Sequence, residues 1–213
     1  GVTRLVALMT LLGAVLAPGQ LQWDVAALTL LGTLLVVGSA NALNMVLEEE
    51  ADAKMTRTRN RPIPSGRLSV EVAFGFGMLL GLVGLSILWF AVNELTGMLA
   101  GLSLISYVLI YTPLKSVTPW ALYVGAVPGA ATPLLGYAGL CGELSSQAWA
   151  LFLVLFTWQI PHFLAITVFR RDEYAAAGLQ VMPVAQGLDK TKIAISVSSV
   201  VLVCVTAVPV FVG

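Results

Sequence analysis

Asn44, Glu48 and Asp52 stand four residues apart at the end of an apolar run, and Arg57, Arg59 and Arg61 follow directly. On a helix that spacing stacks the amide and the two acids along one face. Glu50 can join the row if the helix opens after Glu48. Mg2+ takes hard oxygen ligands and is commonly held by one or two carboxylates together with substrate phosphates. Guanidinium groups grip phosphate oxygens in bidentate fashion. An oxygen row trailed by arginines is therefore a fitting receptor for a magnesium-bound diphosphate. The stretch 44–67 is also the one densely charged part of the chain, and mixed charge at the mouth of an apolar bundle costs free energy unless it binds something. For the arginines a plainer alternative stays open, because basic loops mark the inner side of a membrane whatever they bind. That alternative does not cover the acids, which orientation does not need.

Two further groups could face the same ligand. Tyr111-Thr-Pro-Leu-Lys115 closes another apolar run, and Lys115 either meets a diphosphate as a point charge or serves as a topological anchor. His162, the sole histidine, follows Pro161 inside an apolar run. A lone histidine is often a hydrogen-bonded structural residue, but an ionisable side chain within a span points to function. Arg170 lies about two helical turns beyond it, so one ligand can reach both.

The elements that must hold these groups are membrane helices. Of 213 residues, 58% are hydrophobic and only 10% charged, against about 25% charged in soluble domains. Runs of ~20 apolar residues place spans near 3–18, 24–46, 70–91, 96–112, 119–140, 147–169 and 191–213. Some connections carry only acids or amides: Asp24, Asn93 with Glu94, and Glu143. The others hold all 11 Lys and Arg residues, which orients them toward the cytoplasm or an organelle matrix. The polar loops 48–69 and 170–190 then share one face, with Pro62 and Pro64 holding the first loop extended. Gly125, Pro128, Gly129, Pro133 and Gly136 either let helices approach closely or kink a helix around a cavity. Zero net charge gives no reason to expect a nucleic-acid partner, and Cys141 and Cys204 form no metal or redox motif.

The stretch ALNMVLEEEADAKMTRTRNRPIPSG resembles the first acidic motif of the UbiA-type intramembrane prenyltransferases, and its DAKMTRTRNRP portion resembles the haem O synthase (protoheme IX farnesyltransferase) branch. The segment WQIPHFLAITVFRRDEYAAAGLQVMPVAQG is similar to that branch almost throughout, and Tyr111–Lys115 to its Tyr-Thr-x-x-Lys segment. The resemblance implies an all-α, polytopic helical bundle forming a single domain over 1–213. This chain would supply about seven transmembrane helices where the family has about nine, so one or two C-terminal spans are expected beyond it. It implies a Mg2+-dependent transfer of the farnesyl group of farnesyl diphosphate to a vinyl group of haem B, haem B being substrate rather than cofactor. Metal ligands by the same resemblance are Asn44, Glu48, Glu50, Asp52 and Glu173, with Glu at 48 and 50 where the family usually shows Asp. Asn44, Glu48, Asp52 and Lys115 would be catalytic, and Arg57, Arg59, Arg61 and Lys115 would bind diphosphate. His162, Arg170, Arg171 and Tyr174 would contact the porphyrin or its propionates. Further implications are a bacterial inner membrane, a site facing the cytoplasm, and a haem A synthase or terminal oxidase as assembly partner. A UbiA-type enzyme acting on a quinone precursor or chlorophyllide would carry a second multi-Asp motif, where this chain has only Asp172 and Glu173 before Asp189. A secondary transporter would more often show matched interrupted helices and a site near the midplane.

Overall fold

The structure, a computed structural model, describes residues 2–212, and the regular elements among them are all helices. Helix α1 (Val2–Leu16) is followed by α2 (Trp23–Leu47), the short α3 (Glu49–Lys54) and α4 (Val70–Ser86), which continues as a π-helical segment, Ile87–Val92. Helix α5 (Glu94–Ile105) likewise runs through a π-helical segment, Ser106–Tyr111, into α6 (Thr112–Leu114). Then come α7 (Ala121–Cys141), α8 (Ser146–Phe169), the short α9 (Arg171–Ala176) and α10 (Met182–Ala185), and finally α11 (Leu188–Val205) and α12 (Val208–Val212).

Among the described residues six stretches are long and apolar enough to cross a membrane: Trp23–Leu47, Val70–Val92, Glu94–Leu114, Ala121–Cys141, Ser146–Phe169 and Leu188–Phe211. They match the expected spans from the second onward. The first, α1, has 15 residues, about 22 Å of helix against a hydrocarbon core of about 30 Å. The span expected at 96–112 is longer at both ends. Asn93 caps α5, its Oδ1 accepting from the Thr96 amide at 2.9 Å, and the π-helical segment carries the helix on to Leu114. Gly213, the last residue of the expected final span, lies outside the described residues.

Helix α7 is the centre of the bundle. Its small residues are there for contact rather than for a kink, and it runs unbroken past Pro128 and Pro133. A Cβ on Gly136 would fall 1.8 Å from the Thr10 carbonyl oxygen, and one on Gly13 would fall 2.1 Å from that of Pro133. Helices α1 and α7 therefore cross backbone on backbone, the close approach that only glycine permits between membrane helices. Helices α2 and α4 cross similarly at Gly32 and Gly84. Pro133 leaves the Gly129 carbonyl without its helical donor, and the Thr132 hydroxyl bonds it at 3.3 Å. Helix α11 lies at the rim against α8, with Thr191 its one buried residue among the described residues.

The polar connections gather at one end. The segment after α3 is not extended, contrary to what its prolines suggest. It coils through successive turns, with Arg61 N bonded to Thr58 O at 2.8 Å and Leu68 N to Pro62 O at 3.0 Å. Thr58 and Ile63 are buried beneath it. Met55 from this loop packs with Tyr174, Ala177 and Leu179 of the other long loop, so the two charged loops form one cap.

Candidate functional site

The oxygen row is set by a broken helix whose backbone register survives the break. Glu48 ends α2 at φ −103° and ψ 14°, and α3 restarts immediately. Across that joint Glu48 N still donates to Asn44 O at 2.9 Å, and Asp52 N to Glu48 O at 2.8 Å. The i, i+4 spacing thus keeps Asn44, Glu48 and Asp52 in line. Side chains then fasten the row. Asn44 Nδ2 donates to Glu48 Oε2 at 2.7 Å, which orients the amide oxygen away from Glu48. Lys115 Nζ donates to Glu48 Oε1 at 2.6 Å and lies 3.3 Å from Asn44 Oδ1. Thr112 Oγ1 sits 2.9 Å from Asn44 Oδ1 and 2.8 Å from Tyr107 O, its single proton serving one of them at a time. Arg61 Nη1 reaches Asp52 Oδ2 at 2.6 Å, and the Asp52 side chain is 1% exposed. The Thr58 hydroxyl ties the following loop to the end of α3 by donating to Asp52 O at 2.9 Å.

This row forms one wall of a cavity of about 810 Å³ at the charged end of the bundle. Specific ligand sites span roughly 300–1,000 Å³. Tyr107 and Tyr111, from the π-helical segment, stand beside the row, and the Lys115 ammonium rests 4.4 Å from the Tyr111 ring centroid. The facing wall is α8, with His162, Phe163, Ile166 and Arg170, joined by Tyr174 of α9. Gln180 N donates to Lys115 O at 2.9 Å, tying the second loop to the end of α6. His162 is exposed to the cavity and stacks on Trp158, ring centroids 4.8 Å apart and planes 13° apart. It makes no hydrogen bond among the described residues, so it lacks the bonding of a structural histidine.

Not every residue expected at the site reaches it. Arg57, Arg61, Lys115, His162, Arg170 and Tyr174 line the cavity with the Asn44–Glu48–Asp52 row. Glu50, Arg59 and Arg171 are exposed and do not line it. Glu173 does not line it either; it turns to Arg170 at 3.1 Å. Among the described residues no three acidic, histidine or cysteine side chains meet as a metal cluster. The donor set of the row is one amide and two carboxylates. That set fits Mg2+ bound jointly with a diphosphate, since Mg2+ keeps waters and phosphate oxygens beside its one or two carboxylates. Lys115 Nζ, bridging Glu48 and Asn44, already stands as a cation against those oxygens. Sequence reasoning missed Tyr107 and Thr112; a threonine five positions from a tyrosine in an apolar run gives little signal before the π-helical register is known.

Compared with known proteins, residues 6–213 match the model of the UbiA prenyltransferase family. A protoheme IX farnesyltransferase of Sorangium cellulosum is 51% identical over 82% of this chain and 60% of its own length. One from an Anaeromyxobacter species is 45% identical over 91% of this chain and 66% of its own. The chain thus spans less than two thirds of the length of these relatives. Among solved structures, a UbiA homolog from Aeropyrum pernix aligns with a TM-score of 0.80 at 16% identity, covering 95% of this chain and 76% of that one. A UbiA homolog from Archaeoglobus fulgidus bound to GPP and Mg2+ aligns with a TM-score of 0.73 at 22% identity, covering 97% and 75%. At these identities the structures establish the shared fold.

Proposed function

The chain belongs to the UbiA prenyltransferase family, a multi-pass membrane protein, and we propose that it transfers the farnesyl group of farnesyl diphosphate to a vinyl group of haem B. The products are haem O and diphosphate. The observation that carries this reading is one cavity with two unlike walls: oxygens paired with cations on one side, an exposed histidine and Arg170 on the other. The names of the similar proteins from Sorangium cellulosum and Anaeromyxobacter support the choice of haem and farnesyl. The GPP and Mg2+ bound to the Archaeoglobus fulgidus homolog support a metal–diphosphate at the oxygen row.

Asn44, Glu48 and Asp52 would hold Mg2+, which when bound withdraws electron density from the leaving diphosphate. Lys115, Arg57 and Arg61 bind and orient the phosphate oxygens and share their growing charge as the allylic C–O bond breaks. The bonding electron pair leaves with the diphosphate. The farnesyl cation is then attacked by the vinyl π electrons of the porphyrin, forming the new C–C bond. One water adds to the resulting carbocation and loses a proton, giving the hydroxyl of haem O, so atoms and charge balance. Tyr107, Tyr111 and Phe163 keep bulk water from the cation. His162 and Arg170 orient the porphyrin, the first at its face or iron and the second at a propionate.

The bacterial inner membrane is the proposed location, with the site facing the cytoplasm. Every Lys and Arg connection lying at the cavity end supports that orientation. Haem O would pass on to a haem A synthase or a terminal oxidase. The test is to incubate membranes carrying the protein with haem B and farnesyl diphosphate, with and without Mg2+, and analyse the pigment. Haem O formed only with Mg2+ is expected; prenylation of a quinone precursor instead, with haem untouched, would overturn the acceptor.

A further inference from the structure

The two carboxylates of the row each hold a cation of the chain's own, on the same side chains that would hold a metal. Lys115 Nζ contacts Glu48 Oε1 at 2.6 Å and approaches Asn44 Oδ1 at 3.3 Å. Arg61 Nη1 contacts Asp52 Oδ2 at 2.6 Å. Two acids and two bases make the row neutral by itself. We propose that Lys115 and Arg61 are exchangeable counter-ions that make metal binding conditional on the diphosphate. A divalent ion arriving alone must compete with them for the same oxygens. A metal arriving with a diphosphate brings phosphate oxygens onto which the ammonium and guanidinium transfer. This rests on the prenyltransferase reading and deepens it by setting the order in which the site fills.

The shared atoms are the first support. Charge is the second: a divalent ion added to the neutral row leaves net positive charge in a half-closed cavity, and diphosphate removes it. Burial is the third. The Asp52 side chain is 1% exposed, and a buried carboxylate stripped of its partner is strongly unfavourable, so Arg61 departs only as another cation takes its place. Mobility is the fourth. The Arg61 and Lys115 side chains are 31% and 18% exposed, both line the cavity, and Lys115 keeps a seat over the Tyr111 ring as it swings toward phosphate. Arg57 lines the same cavity but has no acidic partner among the described residues, so it guards no oxygen.

Mn2+ is the probe, titrated by electron paramagnetic resonance into the full-length protein in lipid nanodiscs. It is added alone and then with a non-hydrolysable farnesyl thiodiphosphate. With Mn2+ alone, Lys115→Met and Arg61→Met are expected to bind at least about tenfold more tightly than the unaltered protein. Arg57→Met should stay within about twofold, and Glu48→Gln combined with Lys115→Met should lose the gain. With the analogue present the ranking reverses, because the phosphate has lost a cation. Metal should also raise the melting temperature of Arg61→Met more than that of the unaltered protein. Equal or weaker metal-only binding in both Lys115→Met and Arg61→Met overturns the exchange, as does an equal gain in Arg57→Met. No Mn2+ binding by any of the proteins, even with the analogue, overturns the site itself and is recognisably a different failure.

Discussion

The two walls of the cavity are built on opposite principles. On the side of α2 and α3, Asn44 and Asp52 are 7% and 1% exposed, and every carboxylate of the row already has a partner from the chain itself. On the side of α8, His162 is exposed and held by stacking on Trp158, while Arg170 has one pair with Glu173, both side chains about a third exposed. The first wall is organised before any ligand arrives, which is what stabilising a leaving group requires. The second is ordered by whatever it binds, so part of its binding energy is spent on ordering. Damage to the first wall should therefore strike the chemical step, and damage to the second should strike acceptor affinity.

The sharpest way to break that contrast is Asp52→Asn. The change keeps shape and removes the buried charge that pairs with Arg61 and that the proposed metal would need. Haem O formation should fall by about a thousandfold or more while the protein still inserts into membranes. Pigment analysis of membranes with matched protein levels checks it, and near-normal turnover would remove the metal role from Asp52. Next in size is His162→Ala. The half-saturation concentration of haem B should rise by about 10- to 100-fold, with the affinity for farnesyl thiodiphosphate changed by less than about twofold. Haem titration and analogue binding measured on the same preparation decide it. Equal loss on both axes would mean the walls do not divide the work.

Much of the first wall could be read from the chain, because a four-residue spacing is a local property that backbone hydrogen bonds preserve even across the break at Glu48. The break itself was only conditionally legible. It sits where Glu48 meets Lys115, a partner 67 residues away, and no local pattern carries that. The choice among Arg57, Arg59 and Arg61 was hidden for the same reason: spacing offers all three, while the coil over buried Thr58 and Ile63 delivers Arg61 to Asp52 and leaves Arg59 outside. Pro62 and Pro64 argued for extended chain, and burial of their neighbours overrode them. Spans were legible from hydropathy alone, since lipid leaves the backbone few alternatives. The π-helical segments were not, because apolar composition is the same in either register.

Gly125→Ala tests how firmly the first wall is braced from behind. A Cβ there would lie 2.5 Å from the Tyr111 ring, which must move into the cavity and take the seat under Lys115 with it. Turnover should drop about tenfold with folding retained, short of the roughly 100-fold that a 1 Å misplacement of the reacting groups themselves can cost. The loss should appear with farnesyl diphosphate more than with a shorter prenyl diphosphate, because the ring takes up chain space. Kinetics with C10 and C15 donors measure the split, and equal losses would show that Tyr111 supports Lys115 without bounding the isoprenoid.

The smallest effects are expected where sequence and geometry part. Arg59→Gln and Arg171→Gln remove cations that are exposed and do not line the cavity. An exposed charge acts on the site mainly through screened water, and isolated surface charges contribute little. Each variant should keep turnover within about twofold and show the change shrink further as salt is raised from low to physiological strength. Arg61→Gln under the same conditions should lose activity by an order of magnitude or more, because it frees the buried carboxylate of Asp52. A large, salt-independent loss in Arg59→Gln would mean that the coiled loop rearranges to bring a second guanidinium onto the phosphate. The organised wall would then be built partly by its ligand, and the contrast with α8 would narrow.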